Sequence, residues 1–318
     1  VAEVLEEVER WLRTRSWAAA DRPLERLLAA KAARGTTVSV VLPALDEEAT
    51  VGAIVAAIRR DLMGPRTPLV DELVVIDSGS TDGTARAAAD AGARVVHRDD
   101  VLPRLPAVPG KGEVLWRSLL VTGGDVVCFV DADLRDFDAS FVSGIVGPLL
   151  TEPDVQFVKA TYDRPLDGAA GQGGRVTELM ARPLLNLHWP LLAGFVQPLG
   201  GEYAVRRSLL ERLPFPVGYG VEIGLLIDSL HTVGLDALAQ VDVGVRVHRH
   251  QDGQALGRMA AAIYRTAQLR LSRGHLIRPS LTQFERADGA FVPRTHPVDA
   301  EERPPMREIA EYEARHAA

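Results

Sequence analysis

Cysteine is almost missing from this chain of 318 residues: Cys128 stands alone, which excludes an internal disulfide. It sits in the apolar run Val126-Val127-Cys128-Phe129-Val130 and is expected in the core of a protein from a reducing, cytoplasmic setting. Lysine is also scarce. Lys31, Lys111 and Lys159 are the only lysines among 36 basic residues, the rest being arginine. A coding bias toward arginine accounts for this, and a lysine that persists under such a bias is worth inspecting. No basic stripe stands out, and 43 acidic residues bring the net charge to −7, which disfavours general nucleic-acid binding. Long hydrophobic runs are lacking too. The longest, Leu184 to Leu199, is interrupted by Asn186, His188, Pro190, Gln197 and Pro198. It is too short and broken for a membrane span and suits a buried or partner-facing helix pair. The acidic, amphipathic start, Val1-Ala2-Glu3-Val4-Leu5-Glu6-Glu7, predicts no signal peptide.

The residues that are present make an ordinary globular composition. Hydrophobic residues account for 47% and charged residues for 25%, enough for a sizeable core in one large domain or two modest ones. Residues 1–20 place Val1, Val4, Leu5, Val8, Trp11 and Leu12 at helical spacing, an amphipathic helix ahead of the main fold. Short Val/Ile runs over 38–42, 73–76, 94–97 and 126–130 then alternate with helical segments from Val51, over 83–91 and over 112–121. Continuous apolar runs between helices predict an α/β fold, a mostly parallel sheet with helices on both faces. Right-handed crossovers put the C-terminal strand ends on one edge, where ligands of such sheets bind. Pro43–Glu47, Asp77–Asp82 and Asp131–Asp133 all lie at such ends.

The second half is less regular. A loop is expected over 163–174 and helices over 176–193 (as far as Pro190), 202–213, 221–233 and 255–272. Residues 241–250 alternate, with Val241, Val243, Val245 and Val247 on one face and Asp242, Arg246, His248 and His250 on a polar one, as in a half-buried strand. The chain after about residue 284 has little periodicity and is expected to be mostly irregular surface.

Several groups of residues have chemistry to offer. Asp131-Ala132-Asp133 closes a hydrophobic strand, and carboxylates at i and i+2 can hold a hard divalent cation together with a diphosphate. A solvated turn has the same residues, so the strand in front of them carries the argument. Asp77-Ser78-Gly79-Ser80-Thr81-Asp82-Gly83-Thr84 serves either as a nucleotide contact through Asp77 or Ser78 or as plain helix-capping chemistry. In Gly110-Lys111-Gly112 a lysine precedes a helix whose N-terminus favours an anion, although the spacing is not that of a P-loop. Glu222 begins a helix, a favourable place for any carboxylate. Gly173-Gly174-Arg175-Val176-Thr177 is an anion site or a capped helix with a surface arginine. His248, with Arg246 and His250 on the same face, is either a third metal ligand or structural.

Together these residues resemble a known group. Pro43-Ala44-Leu45-Asp46-Glu47, the segment 77–84 and Asp131-Ala132-Asp133 are similar to the serial signature of GT-A-fold, Rossmann-like nucleotide-sugar glycosyltransferases. Gly110-Lys111-Gly112, Gly200-Gly201-Glu202-Tyr203-Ala204, Gly218-Tyr219-Gly220-Val221-Glu222-Ile223-Gly224-Leu225-Leu226 and Arg246-Val247-His248-Arg249 resemble more closely the glucosyl-3-phosphoglycerate synthase family, over roughly residues 38–275. Asp46 and His250 depart from its pattern, which has Asn more often at both places.

The resemblance implies retaining transfer of glucose from UDP-glucose to 3-phosphoglycerate, dependent on Mg²⁺ or Mn²⁺, by a homodimer. It implies donor contacts from Pro43, Ala44, Leu45, Glu47, Ser78, Lys111, Asp131 and Ala132, and cation ligands in Asp133 and His248. Glu222 would hold sugar hydroxyls, with Lys111 and Asp131 beside it at the reaction centre. Gly174, Arg175, Thr177, Tyr219 and His250 would take the acceptor. The chain then divides into an N-terminal helical segment (1–34), a nucleotide-sugar-binding region (35–161), an acceptor-binding and metal-completing region (162–283) and a C-terminal extension (284–318). Sugar-1-phosphate nucleotidylyltransferases share the layout but resemble one another in a Gly-rich first loop ending in Arg, whereas the first strand here ends in Pro43-Ala44-Leu45. A different small acidic or lipid-linked acceptor, or a non-catalytic nucleotide-sugar binding module, stays open.

Overall fold

The runs of β-branched residues become strands of one sheet: β1 (Ser16–Ala18), β2 (Val38–Ala44), β3 (Glu72–Asp77), β4 (Arg94–His97), β5 (Val126–Phe129), β6 (Phe157–Asp163), β7 (Tyr203–Arg206) and, after the separate two-residue β8 (Phe215–Pro216), β9 (Leu238–Val245). The computed structural model describes residues 5–163, 174–246, 253–271, 280–287, 290–297 and 301–316. Across the sheet the order is β1-β9-β6-β7-β5-β2-β3-β4. Neighbours are parallel except around β7, which runs against both β5 and β6. All the other strands of this sheet therefore end on one edge, and β7 begins there. That edge collects Ala44, Asp77, Asp131 beyond β5, Asp163, Glu202 just ahead of β7 and Arg246 just after β9.

The helices are α1 (Glu6–Thr14), α2 (Leu24–Arg34), α3 (Val51–Leu62), α4 (Thr84–Asp90), α5 (Lys111–Val121), α6 (Ser140–Thr151), α7 (Arg182–His188), α8 (Arg207–Leu210), α9 (Val221–Val233), α10 (Gly253–Leu271) and α11 (Ala310–His316). Period-two strands split the core into two layers. Val41, Val127 and Phe129 belong with α5 and α9, whereas Val40, Leu42, Val126 and Cys128 belong with α3 and α6. Cys128 is fully buried, as its apolar run predicts. No helix among the described residues is long and apolar enough to cross a membrane. The apolar stretch 184–199 turns mostly inward through Leu184, Leu185, Trp189, Leu192 and Phe195, leaving Leu187 exposed.

Four expectations change. Residues 202–213 are not one helix but β7 and the single turn α8. Tyr203, Ala204 and Val205 are buried between two strands, and the helical spacing of Leu209, Leu210 and Leu213 belongs only to the segment after them. The alternating strand starts earlier, at Leu238, and ends at Val245, and Arg246, expected on its polar face, lies just beyond it and is buried. His248 and His250 lie outside the described residues, as do residues 164–173 of the loop expected over 163–174, while Asp163 ends β6. The chain after 284 is not irregular surface. Strands β10 (Ser280–Ala287) and β11 (Ala290–Pro297) pair as an antiparallel hairpin, the short β12 (Glu302–Arg303) pairs with β8, and Met306, Ile309 and Tyr312 are buried in the main core. Finally, the helix beginning near residue 175 has a π-helical stretch, Thr177–Ala181, before α7.

The amphipathic N-terminal segment is tied to the sheet. Trp11 is fully buried, its ring centroid is 4.6 Å from that of Phe195, and its indole N–H donates to the Leu238 carbonyl at 2.7 Å. Trp11→Ala should cost about 3–5 kcal/mol in urea unfolding. Trp11→Phe, which leaves that buried carbonyl without its donor, should cost about 1–3 kcal/mol. Near-zero values for both would make α1 a mere appendage.

Candidate active site

Lys111 is the first residue of α5, where the helix N-terminus points its free N–H groups. Its ammonium donates to Asp131 Oδ1 and lies 2.8 Å from Glu222 Oε1 in the first turn of α9. Burial works against charge on this lysine, but the carboxylates of Asp131 and Glu222 outweigh it and hold the amine well above its ordinary pKa. Gly201 allows this contact, since a Cβ there would run into both the Asp131 carboxylate and Lys111 Nζ.

Asp131 is shared with a second cation. Arg246 Nη2 lies 2.8 Å from Asp131 Oδ2, 3.4 Å from Asp133 Oδ1 and 3.1 Å from Glu202 Oε1. Glu202 is fully buried and accepts from the Tyr162 hydroxyl at 2.8 Å. Among the described residues, four carboxylates thus face two fixed cations, Lys111 and Arg246. The surplus negative charge shows at Asp133, whose carboxyl is pushed up by burial and by Asp131, against the opposing pull of Arg246 and Lys111. Partly exposed oxygen donors with negative charge to spare, Asp131 and Asp133, fit a hard divalent cation. Among the described residues no group of three His, Cys, Asp or Glu side chains is placed to hold a metal unaided. Asp133 would therefore need ligands from a bound diphosphate and from the segment containing His248.

The donor candidates line the same sheet edge. Pro43 and Ala44 end β2, with Leu45 exposed beyond them. The Ser78 N–H donates to the Ala44 carbonyl at 2.9 Å. Asp77 is engaged elsewhere, its carboxylate accepting from the Ser80 hydroxyl and N–H, which leaves Ser78 as the candidate of that pair. The Glu47 N–H donates to Thr84 Oγ1 at 2.8 Å, and Thr50 Oγ1 donates to the Ala132 carbonyl at 2.6 Å, joining the first cluster to the third. Asp46 has φ +55°, a left-handed conformation that Asp and Asn share, and its carboxylate accepts from the Thr81 N–H at 2.8 Å. The acceptor candidates stand on other elements. Gly174 has φ +79°, Arg175 is exposed, Thr177 is buried at the start of the π-helical stretch, and Tyr219 is half exposed just before α9.

Sequence reasoning missed Glu202, Arg246 and Lys159 as parts of this site. Lys159 carried a signal, being one of three lysines. It is fully buried on β6, donates to the Gly200 carbonyl at 2.7 Å and lies 4.7 Å from the centroid of the Tyr203 ring. Glu202 and Arg246 stand inside longer motifs, and nothing local says that they meet.

A family model for glycosyl transferase family 2 matches residues 39–176. A glucosyl-3-phosphoglycerate synthase from Mycolicibacterium smegmatis is 52% identical over 303 residues, 93% of this chain and 97% of that protein. The chain belongs to the glucosyl-3-phosphoglycerate synthase family. The Mycobacterium tuberculosis member, 49% identical, has a crystal structure with Mn²⁺, UDP-glucose and phosphoglyceric acid; the TM-score is 0.80, covering 90% of this chain and 95% of that one. That protein has also been solved with Mg²⁺ and UDP. A mannosyl-3-phosphoglycerate synthase from Rubrobacter xylanophilus is 40% identical with a TM-score of 0.88, covering 95% of this chain and 99% of that one.

Beneath the site of this family member, Lys159 gives a pH signature. Burial is the largest influence and brings its amine down to about 7, despite the opposing pull of Glu222, Glu202 and Asp131. Above that pH the unfolded lysine still binds a proton that the folded one lacks, so this residue's contribution to stability rises with pH until the unfolded lysine titrates near 10.5. The unfolding free energy of the wild type relative to Lys159→Met should climb by up to about 1.4 kcal/mol per pH unit between about pH 7 and 9.5. A difference flat across that window would show that Lys159 stays charged.

Proposed function

We propose that this chain transfers glucose from UDP-glucose to 3-phosphoglycerate with retention of configuration, using Mg²⁺ or Mn²⁺. The observation that carries the proposal is the Lys111 ammonium between Asp131 and Glu222 at the carboxyl edge of the sheet. Departure of UDP builds negative charge on a diphosphate, and a partly buried ammonium at a helix N-terminus would be placed to meet it. Asp133 and His248 would hold the cation, which when bound supplies Lewis-acid neutralisation of the same charge. Both metals accept carboxylate and phosphate oxygens.

Glu222 is the one candidate nucleophile for a covalent route. It is buried and paired with Lys111 at 2.8 Å, which favours a role in holding sugar hydroxyls. We therefore favour attack from the leaving-group face, with a donor phosphate oxygen taking the acceptor proton. Residues 35–161 hold the nucleotide sugar in this reading, with Pro43, Ala44, Leu45, Glu47, Ser78 and Ala132 around the nucleoside. Residues 162–283 supply the acceptor contacts. Gly174, Arg175 and Thr177 would take the acceptor phosphate, with Tyr219 and His250 nearby. A homodimer covering exposed Leu179 and Leu187 and a cytoplasmic location belong to the same proposal.

The test is a matrix of UDP-glucose and GDP-mannose against 3-phosphoglycerate and glycerate, with the product anomer read by NMR. UDP-glucose with 3-phosphoglycerate should be the best pair and the α-linkage should be kept. A preference for GDP-mannose would move the assignment to the mannosyl relative's reaction, and no turnover with any pair would leave a binding module. Arg175→Ala should raise the acceptor KM about tenfold or more, with UDP-glucose affinity within about twofold. Equal effects on both substrates would place the acceptor phosphate elsewhere.

The cation assignment has a readout of its own. Asp133→Ala should weaken Mn²⁺ binding in the presence of UDP by about tenfold or more, measured by electron paramagnetic resonance, with an unchanged circular dichroism spectrum. Unaltered Mn²⁺ affinity would remove Asp133 from the ligand set.

A further inference from the structure

The two residues paired at the reaction centre, Lys111 and Glu222, stand on different elements, and a third segment joins those elements together. That segment is β12, which runs antiparallel to β8, and the Val217 N–H donates to the Glu301 carbonyl at 3.0 Å. β8 leads directly through Val217 to Glu222. The opposite side of the joint is the first turn of α5. Arg303 Nε lies 2.7 Å from Glu113 Oε2, Arg303 Nη2 lies 3.0 Å from Glu113 Oε1, and the same Nη2 donates to the Pro106 carbonyl at 2.9 Å. Glu113 is fully buried, two residues after Lys111, and its own N–H donates to the Val217 carbonyl at 3.1 Å. Gly112 packs so closely on the Pro216 carbonyl that a Cβ would overlap it.

The strap is itself anchored. Trp116 Nε1 donates to the Pro304 carbonyl at 3.0 Å, and Glu302 pairs with Arg270 Nη2 at 2.7 Å. Arg270 in turn pairs with Asp228 on α9. Met306, Ile309 and Tyr312 are buried beyond it.

We propose that Arg303 is a positioning residue, which sets the distance between Lys111 and Glu222 by clamping the first turn of α5 to the turn after β8. A planar guanidinium gripping both oxygens of a buried carboxylate fixes direction as well as separation. Removing it leaves the Glu113 carboxylate with Arg117 alone and the joint with the single Glu113 N–H bond to the Val217 carbonyl, and α5 can then shift along β8 by a fraction of an ångström. Lys111 would lose its placement against the donor diphosphate while keeping its charge.

This inference rests on the roles proposed for Lys111 and Glu222, and a double-mutant cycle separates the two. Turnover of UDP-glucose with 3-phosphoglycerate is measured for the wild type, Lys111→Ala, Arg303→Met and the double variant, each normalised to folded protein by unfolding amplitude. Arg303→Met should lower kcat/KM for UDP-glucose about tenfold or more, and the same substitution added to Lys111→Ala should cost less than about twofold further. Arg303→Lys, which keeps the charge without the fork, should recover only part of the loss. Independent, multiplicative losses would overturn the positioning role and leave Arg303 a stability residue. A normal rate in Lys111→Ala would instead sink the reading of the site. If Arg303→Met does not fold, Trp116→Phe, which removes the donor to Pro304 and part of the buried ring under Arg303, replaces it in the cycle with the same expected coupling and the same overturning result.

Discussion

A single ammonium between two carboxylates organises this molecule. Lys111 is held charged in a partly buried position because Asp131 and Glu222 outweigh the cost of its desolvation. Such a pairing is stabilising only where geometry and neighbouring hydrogen bonds are good, since each ion loses its water. Much of the surrounding sequence meets that demand. Gly201 clears the space, Lys159 holds the neighbouring Gly200 carbonyl, and Arg246 takes the remaining oxygen of Asp131. In the reaction proposed above, the group that would neutralise a departing diphosphate is thereby held in place before the donor arrives, which avoids reorganisation at the moment of reaction.

Sheet topology explains why these charges meet. The strands other than β7 run the same way and deliver their ends to one edge. The reversal of β7 brings its start to that edge as well, so Glu202 enters the cluster from a strand that would otherwise point away. Arg246 arrives from β9, two strands beyond β7, and spans to Asp131 on the far side. The charged cluster is thus assembled from three separate strand ends and two helix N-termini rather than from any one loop.

Stability and site geometry are built from the same contacts around α5. Its buried Glu113 and Arg117 pair with each other, and Arg117 also reaches the carbonyls of Val101 and Leu105. The C-terminal strap closes this network from outside through Arg303. A helix held on several sides moves little, and its first residue inherits that rigidity. The terminal segment therefore belongs to the scaffold of the site although it lies almost two hundred residues away in sequence.

The fold class and the four strands β2 to β5 were legible in the sequence because their signals are local. Continuous Val/Ile runs, Asp/Ser/Gly turns and 3.6-residue spacing each act within a few residues of where they are read. Lys111, Asp131 and Glu222 stand where the same local signals put the end of a strand or the start of a helix, and the structure brings the three together. The strand at Tyr203–Arg206 was not legible, since only its place between β5 and β6 overrides the helical spacing that comes after it. The alternation puts Arg246 on the polar face of a half-buried strand, and it is buried against three carboxylates. Strand order decided that, because a partner 115 residues away exerts no pattern on the sequence around the arginine. The tail was misjudged on the same grounds. Its Met306, Ile309 and Tyr312 are too few to show a period, and only the core they enter gives them a place. Local sequence set which elements form and where their reactive ends lie; the order of the strands, which depends on pairings far along the chain, decided which of those ends touch.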